Sequence, residues 1–495
     1  MSIEEQRERA VVVGSGFGGG VSALRLARAG VPTLVLERGL RWLTGPNATT
    51  FPTLADFDRR TSWLTDHSLL AGMPQITWKP FTGLIESLRG TGMTIHCGAG
   101  VGGGSLMYHG MTLQPSAEYF ARSMPMAADD YEELDQVYYP TVARMLQIST
   151  VPDDVLAAEP YRSSRLFLDV APKAGLETFR VPLPVDWNFV CGELLGQFKP
   201  AYTNSDMSFG VNNGGKHSID VTYLAAAEAT GLVRVAALHV VRDISMDKRK
   251  RWVLHVDRID TDGVVQERKK IIADAVFLNA GSAGTTRLLV KARAKGLIPD
   301  LPDAVGTQWG SNGDRIYAWV QMGDDPGSVQ GGPACVGGRA PGSAIPLTVI
   351  HAGSPQAPPE GVRLETLVAF GIIKGVGTWA YDAATDDARL TWPPEGDADL
   401  LPAIRARIDE FAKVGGGQII DTNAQEASTW HALGGVPMGD AVDRFGRVLG
   451  HQGLYVLDGA RIPGSTGACN PSMTIAALAE HSMATIVTQD VGQIF

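Results

Sequence analysis

The run Val11-Val12-Val13-Gly14-Ser15-Gly16-Phe17-Gly18-Gly19 constrains this chain more than any other segment. Three valines make a short buried strand, and the glycines after them stop any regular element from running through. Helical spacing of Val21, Leu24 and Ala27 follows, Gly30 closes that helix, and Thr33 to Leu36 gives a second strand ending in Glu37. Gly14, Gly16 and Gly19 therefore stand in a GxGxxG pattern between a strand and a helix. Gly14 permits the tight turn, and Gly16 lets the backbone approach a pyrophosphate. Gly19 lets helix and strand pack closely, so that the helix N-terminus faces the phosphates. Glu37, at the end of the second strand, is placed to accept ribose hydroxyls. Strand, turn, helix and acid together predict a dinucleotide site, without choosing between nicotinamide and flavin forms.

The chain has 495 residues, more than one simple core holds, which predicts two domains. A net charge of −10 speaks against nucleic acid or an anionic membrane as partner. The basic run Lys248-Arg249-Lys250-Arg251 lies between strand-like segments and reads as a solvated hairpin end rather than a binding patch. Four cysteines without CxxC spacing indicate neither a metal site nor a disulfide scaffold, although one bridge stays open. The short charged segment Met1 to Arg9 leaves no room for a secretory signal, and no apolar stretch is long enough to span a bilayer. A cytoplasmic protein without stable membrane insertion is expected.

Beyond the opening βαβ unit, residues 41–88 read as an irregular excursion rich in aromatics, Pro and Thr. Amphipathic helical patterns cover Ala127 to Met145 and Tyr161 to Ala174, and a β-meander with an Asp262-Gly263 turn is expected between Val233 and Val276. Ala275 to Leu278 and Leu454 to Leu457 read as buried strands, Ile345 to Ile350 and Glu365 to Ile373 as further strands, and Thr474 to Thr488 as a closing helix. The second glycine block, Gly98-Ala99-Gly100-Val101-Gly102-Gly103-Gly104-Ser105-Leu106, is too glycine-rich for a helix or strand. It is either a flexible linker or a run that lays main-chain N–H groups against a flat or anionic ligand; its apolar flanks favour the second.

These blocks resemble the glucose–methanol–choline oxidoreductase family: the opening turn, Gly98 to Gly110, Phe277-Leu278-Asn279-Ala280-Gly281-Ser282, and the C-terminal run with His431 and Asn470. Within it, the blocks Asn212 to Ser218, Tyr381 to Asp386 and Asp443 to Val448 are similar to bacterial cholesterol oxidases that hold FAD without a covalent bond. The resemblance implies an α/β fold, with a Rossmann-like FAD-binding domain interleaved with a substrate domain built on a mixed or antiparallel β-sheet with helices. Residues 1–45, 91–115, 205–300 and 440–495 would form the first, and 46–90, 116–204 and 301–439 the second. It further implies that Gly102, Gly103 and Gly104 line the flavin ring, with Gly98, Ser105, Tyr108, His109, Gly110 and Met111 beside them. Val241 would hold the adenine through its backbone, and Asp458 and Gly459 would close on the ribityl chain or pyrophosphate. Phe17, Gly18, Arg38, Gly281, Pro471 and Ser472 would complete the cofactor surroundings. His431 would be the active-site histidine and Asn470 would face it.

Residue chemistry agrees. Oxidising an alcohol removes a hydride from carbon and a proton from oxygen; FAD takes the first, and an imidazole titrating near neutrality can take the second. His431 could otherwise be a buried structural histidine, and Asn470, before Pro471, a turn or helix cap. The sequence departs from the family in three places. The strand Leu347 to Ala352 lacks the glutamate that cholesterol oxidases use for double-bond isomerisation, leaving His351 as a candidate base and isomerase activity in doubt. Tyr108, followed by His109, stands where the family has an asparagine, and relatives with a covalent histidine place it about two positions earlier, where Met107 sits, so non-covalent FAD is expected. Ser472 replaces an aromatic, and the neighbouring Cys469 reads as a packing residue. The expected activity is FAD-dependent oxidation of a bulky secondary alcohol, sterol- or terpenoid-like, to a ketone, with O2 reoxidising the flavin to give H2O2. The alternative is a non-redox isomerase or lyase of the same fold.

Overall fold

The computed structural model describes residues 4–54, 56–70, 75–340, 342–355, 357–424 and 426–495. Strand Glu4–Val13 lies in the middle of a seven-stranded sheet, parallel to Thr33–Leu36 on one side and to Val265–Leu278 on the other. The strand starts well before Val11 because the long partner Val265–Leu278 offers paired backbone back to Lys269, and Glu5, Arg7 and Arg9 of the extension are exposed at alternate positions. Val11 and Val12 are fully buried; each contributes on the order of 1.5–3 kcal/mol of hydrophobic stabilisation.

Val265–Leu278 takes two partners on its far side. Its first part pairs antiparallel with Trp252–Ile259, which pairs in turn with His239–Met246; its last residues, Val276 to Leu278, pair parallel with Leu454–Val456. The expected meander is thus three-stranded, with its turn at Asp262-Gly263, where Gly263 has φ +83°. Val233–Ala236 does not belong to it and joins Thr33–Leu36 in parallel instead. The basic run sits in the connection between His239–Met246 and Trp252–Ile259, as a hairpin end.

The second sheet is antiparallel throughout, in the order Gln418–Asp421, Arg315–Val320, Leu364–Gly371, Leu347–Ala352, Val336–Arg339, Glu177–Arg180. Helices Arg162–Val170 and Leu400–Gly415 pack on one face of it, around buried Phe167, Phe411 and Trp319. A small third sheet pairs Ile85–Arg89 with Thr94–Gly98, and Thr94–Gly98 with Ser428–Thr429. This brings the glycine block beside the segment that carries His431. Between Pro125 and Met145 the helical path is broken: a 3-10 stretch, a turn of α-helix, then a π turn over Leu134–Tyr138 before Tyr139–Met145. Pro140 has no N–H to donate into the turn before it, and the wider turn absorbs the gap. The closing helix starts at Pro471, three residues before Thr474, because proline suits the first helical position.

Among the described residues no helix is long and apolar enough to cross a membrane, and no cluster of His, Cys, Asp and Glu could hold a metal ion. All four cysteines are free thiols.

Candidate active site

The parallel strands Glu4–Val13, Thr33–Leu36 and Val265–Leu278 all end at one edge, where open α/β sheets bind ligands. A cavity of about 790 Å3 opens there, and its far wall is the antiparallel sheet, through Ile316 and Val368. The two glycine segments meet at its centre: a Cβ built on Gly103 would lie 2.7 Å from the Gly16 Cα.

Why glycine stands in these turns differs by position. A Cβ at Gly14, whose φ is +92°, would lie 2.2 Å from the Asn279 carbonyl oxygen, and one at Gly19 would lie 2.1 Å from the Gly14 carbonyl oxygen. Those two glycines serve the turn and the packing of helix on strand. Gly104 has nothing within 4 Å of a built Cβ, and Gly16 only the Gly103 Cα at 3.9 Å; both line the cavity. Their bareness answers to no protein neighbour, so it leaves open a cradle that a ligand needs and a methyl group would fill. This fits a flat, phosphate-bearing dinucleotide held against main chain. Ser15 donates from N and Oγ to Glu37 Oε2, at 3.2 and 2.6 Å, so the acid also braces the turn.

Most of the residues expected around a cofactor border this cavity. Gly14, Gly16, Phe17, Gly18, Glu37 and Arg38 form one side, with Val241 and Gly281 further along. Gly98, Gly103, Gly104, Tyr108, His109 and Met111 form the other. Asp458, Gly459, Asn470, Pro471 and Ser472 close it below. Gly19, Gly102, Ser105 and Gly110 lie behind the wall. Gly102 and Gly110 have φ of +113° and +84° and shape the loop, and Ser105 Oγ ties it to the Gly102 carbonyl and the Ile219 N–H. Burial pushes the Asp458 carboxyl up to about 6, against the Thr285 hydroxyl and the Gly281 and Ala460 N–H groups that donate to it.

His431 and Asn470 come together at one end of the cavity. The His431 Nδ1 lies 2.8 Å from Asp314 Oδ1, and Asn470 Nδ2 lies 3.3 Å from His431 Nε2. A carboxylate only accepts, so Nδ1 carries the proton and Nε2 presents its lone pair to Asn470 and the cavity. Asp314 is itself buried and fixed, with Oδ2 accepting from Thr429 Oγ1 at 2.8 Å and Trp430 N at 3.2 Å. Asn470 occupies the N-cap position of Pro471–Gln489, yet its side chain makes no capping bond and turns to the histidine. Its Oδ1 is buried without a protein partner, poised to accept from a bound hydroxyl.

Asp314 was missed in the sequence: it is 117 residues from His431 and belongs to no motif. His96 was missed too; it lines the cavity, stacks on Trp430 at 4.5 Å, and is pushed down to about 4 by burial.

His351, a candidate base, does not reach the cavity. Val368 lines the cavity and Phe370, two residues on, packs on the His431 ring, so Leu367 and Ala369 on either side of Val368 face the other way. His351 is the direct partner of Leu367 and shares its face, fully buried, with Nδ1 3.4 Å from Ser164 Oγ on the helix Arg162–Val170. Glu365, two residues before Leu367, faces the same way, and burial pushes its carboxyl well above the ordinary carboxylate range. Cys469 is buried with its thiol pushed up to about 11, against Arg339 at 3.5 Å, as a packing residue.

Residues 388–479 match the family model described as GMC oxidoreductase. A cholesterol oxidase of Mycobacterium tuberculosis (strain CDC 1551 / Oshkosh) is 26% identical over 95% of this chain and 90% of its own length. A cholesterol oxidase of Acinetobacter baumannii is 24% identical over 96% of this chain and 94% of its own. The crystal structure of pyridoxine 4-oxidase from Mesorbium loti shares the fold, with a TM-score of 0.65 at 16% identity over 97% of this chain and 99% of that one.

Proposed function

The chain is a GMC-type oxidoreductase, an FAD-dependent enzyme of alcohol oxidation, and from that premise we propose that it oxidises a bulky hydrophobic secondary alcohol to a ketone at the His431–Asn470 end of its cavity. The observation that carries this reading is the convergence of His431 Nε2 and the Asn470 amide, 3.3 Å apart, on the cavity, with Asp314 behind.

Bound FAD supplies the acceptor for the hydride leaving the carbinol carbon. Everything else is the task of this chain. His431 Nε2 accepts the hydroxyl proton, and the Asp314 carboxylate holds the ring in the right tautomer and stabilises the imidazolium that forms. Asn470 donates through Nδ2 to the alcohol oxygen, orienting the carbon without adding charge. The N-terminus of Pro471–Gln489, at the cavity floor, favours the negative charge that builds on that oxygen. Ile316 and Val368 supply an apolar wall for the body of the substrate.

Gly16, Gly103 and Gly104, with Glu37, Val241, Gly281, Asp458 and Gly459, would hold the cofactor without a covalent bond. Residues 1–45, 91–115, 205–300 and 440–495 serve the cofactor, and 46–90, 116–204 and 301–439 the substrate. With FAD bound, molecular oxygen would be the final electron acceptor, giving hydrogen peroxide. No double-bond isomerisation accompanies oxidation, because no carboxylate on Leu347–Ala352 or Leu364–Gly371 faces the cavity.

The experiment is to mix FAD-loaded protein with a panel of hydrophobic secondary alcohols without air, follow the flavin band, then admit air and measure peroxide. A matching alcohol bleaches the band, and air restores it with one peroxide per ketone. If none bleaches it, the oxidation reading fails, and turnover without bleaching marks a non-redox isomerase or lyase. Acid precipitation should leave all flavin in the supernatant; flavin retained on the pellet would mean a tether, with His109 the first residue to examine.

A further inference from the structure

Lys216 lies in the block Asn212 to Ser218, to which the proposed chemistry assigns no role. It is 3% exposed, and its Nζ donates to the Leu106 carbonyl at 2.8 Å and the Tyr108 carbonyl at 3.0 Å. Among the described residues no carboxylate pairs with it; Asp220 acts on it through space, with an oxygen already taken by Ser218 Oγ. Nζ sits 5.1 Å from the centre of the Tyr108 ring. That ring lines the cavity and packs edge-on against Phe17, with centroids 5.5 Å apart, on the opposite wall. One aromatic ring therefore separates the ammonium from the cavity.

A buried lysine without a carboxylate is an expensive arrangement. Holding two carbonyl oxygens needs only a neutral donor such as a glutamine amide. The lysine adds a charge, which low-dielectric surroundings leave unscreened. Its neighbour on the same wall, His109, is neutral: burial and the lysine itself push it down to about 4. Tyr108 is held in its neutral phenol form by burial. Lys216 is thus the cation behind this wall, and burial brings it down to about 7, so that it is charged in weakly acidic solution.

We propose that Lys216 tunes the redox balance of the bound flavin, its ammonium stabilising the negative charge which that group gains on reduction. A charge beside the ring is one of the levers a protein has on a flavin's electronics. Lys216 acts through the wall formed by Tyr108 and His109 and is a positioning residue in the electrostatic sense, not a contact of the substrate. The inference rests on the FAD reading above.

The test uses the FAD-loaded protein at about pH 6 and measures the two-electron reduction potential against a reference dye, in the wild type and in K216M, K216Q and K216R. K216Q keeps a donor for the two carbonyls and loses the charge; K216R keeps the charge. The expected result is a potential lower by about 30 mV in K216M and K216Q, a tenfold change in the equilibrium, with K216R close to the wild type. Unchanged potentials in K216M and K216Q would overturn the proposal. Loss of FAD from both, with retention in K216R, would make Lys216 a structural clamp and overturn it equally. A wild-type protein that holds no FAD would sink the cofactor reading instead.

Discussion

Asp314→Asn is the sharpest test of how the site handles the proton. When His431 takes the alcohol proton it becomes an imidazolium whose Nδ1 lies 2.8 Å from Asp314 Oδ1. Two unit charges about 4 Å apart interact by about 4 kcal/mol at an effective dielectric of about 20. At about 1.4 kcal/mol per factor of ten, that is worth roughly 10^3 in rate. With its oxygen on Thr429 Oγ1 and Trp430 N, asparagine turns its NH2 toward Nδ1 and favours the tautomer that carries the proton on Nε2, so kcat should fall by about 10^3 to 10^4. KM should move little, because Asp314 acts through His431 rather than on the substrate. The fold should survive, since the amide oxygen still accepts from Thr429 Oγ1 and Trp430 N. Stopped-flow bleaching of the flavin by substrate without air isolates this step from reoxidation. A D314N protein with wild-type FAD content that bleaches within threefold of the wild-type rate would show that the carboxylate does not assist His431.

Gly104→Ala should leave the melting temperature of the cofactor-free protein unchanged or raise its stability by about 0.4–1 kcal/mol, as the Cβ meets nothing within 4 Å. Its Kd for FAD should rise at least tenfold, read by flavin fluorescence; unaltered affinity means the cradle holds something else. Gly14→Ala, by contrast, forces a φ of +92° and a 2.2 Å approach to Asn279, and should cost more than about 2 kcal/mol in urea unfolding even without cofactor. His351→Leu should leave turnover within threefold of the wild type, and acid unfolding separates it from a catalytic role. Burial brings His351 down to about 3, so its unfolded form takes up a proton first as the pH falls below about 6.5, and stability drains away from there down to about 3. At pH 5 this one group should have cost about 2 kcal/mol, a share missing from H351L. His96 and His109, each brought down to about 4, keep part of the acid sensitivity in the variant.

What was legible in the sequence is what local spacing decides. Gly14 and Gly19 announce a turn because each meets a steric demand within a few residues of itself or at the neighbouring strand end, and Gly16 stands bare between them. Strands such as Leu347–Ala352 and Leu364–Gly371 announce themselves by apolar runs. The illegible parts depend on pairings across long stretches of chain. Val233–Ala236 reads like the start of a meander, yet its backbone finds Thr33–Leu36 about 200 residues earlier, and nothing in four residues encodes that choice. Asp314 is an ordinary aspartate until Arg315–Val320 pairs with Leu364–Gly371 and carries it beneath His431. Lys216 looks like a surface residue until the glycine block folds over it.

Strand alternation also explains why His351 stands away from the cavity while Val368 lines it. In the antiparallel sheet, Val368 and Phe370 point toward His431, whereas Glu365, Leu367 and Ala369 point into the helical layer, and His351 follows Leu367. A shift of one residue would exchange the two sets and put a carboxylic acid and an imidazole over the substrate. The register is fixed by burial of Leu367 and Ala369 against the helical side, which that shift would turn to the cavity. The cavity wall is therefore apolar as a consequence of packing. With His96 and His109 both brought down to about 4, the proposed chemistry leaves proton transfer at this end to His431, backed by Asp314. A substrate whose product needs a second proton shuttle, as double-bond migration does, should leave this enzyme oxidised and otherwise unchanged. Product analysis by NMR after full turnover of an unsaturated alcohol decides the matter: a migrated double bond would require a base on the cavity face, and the register places none there.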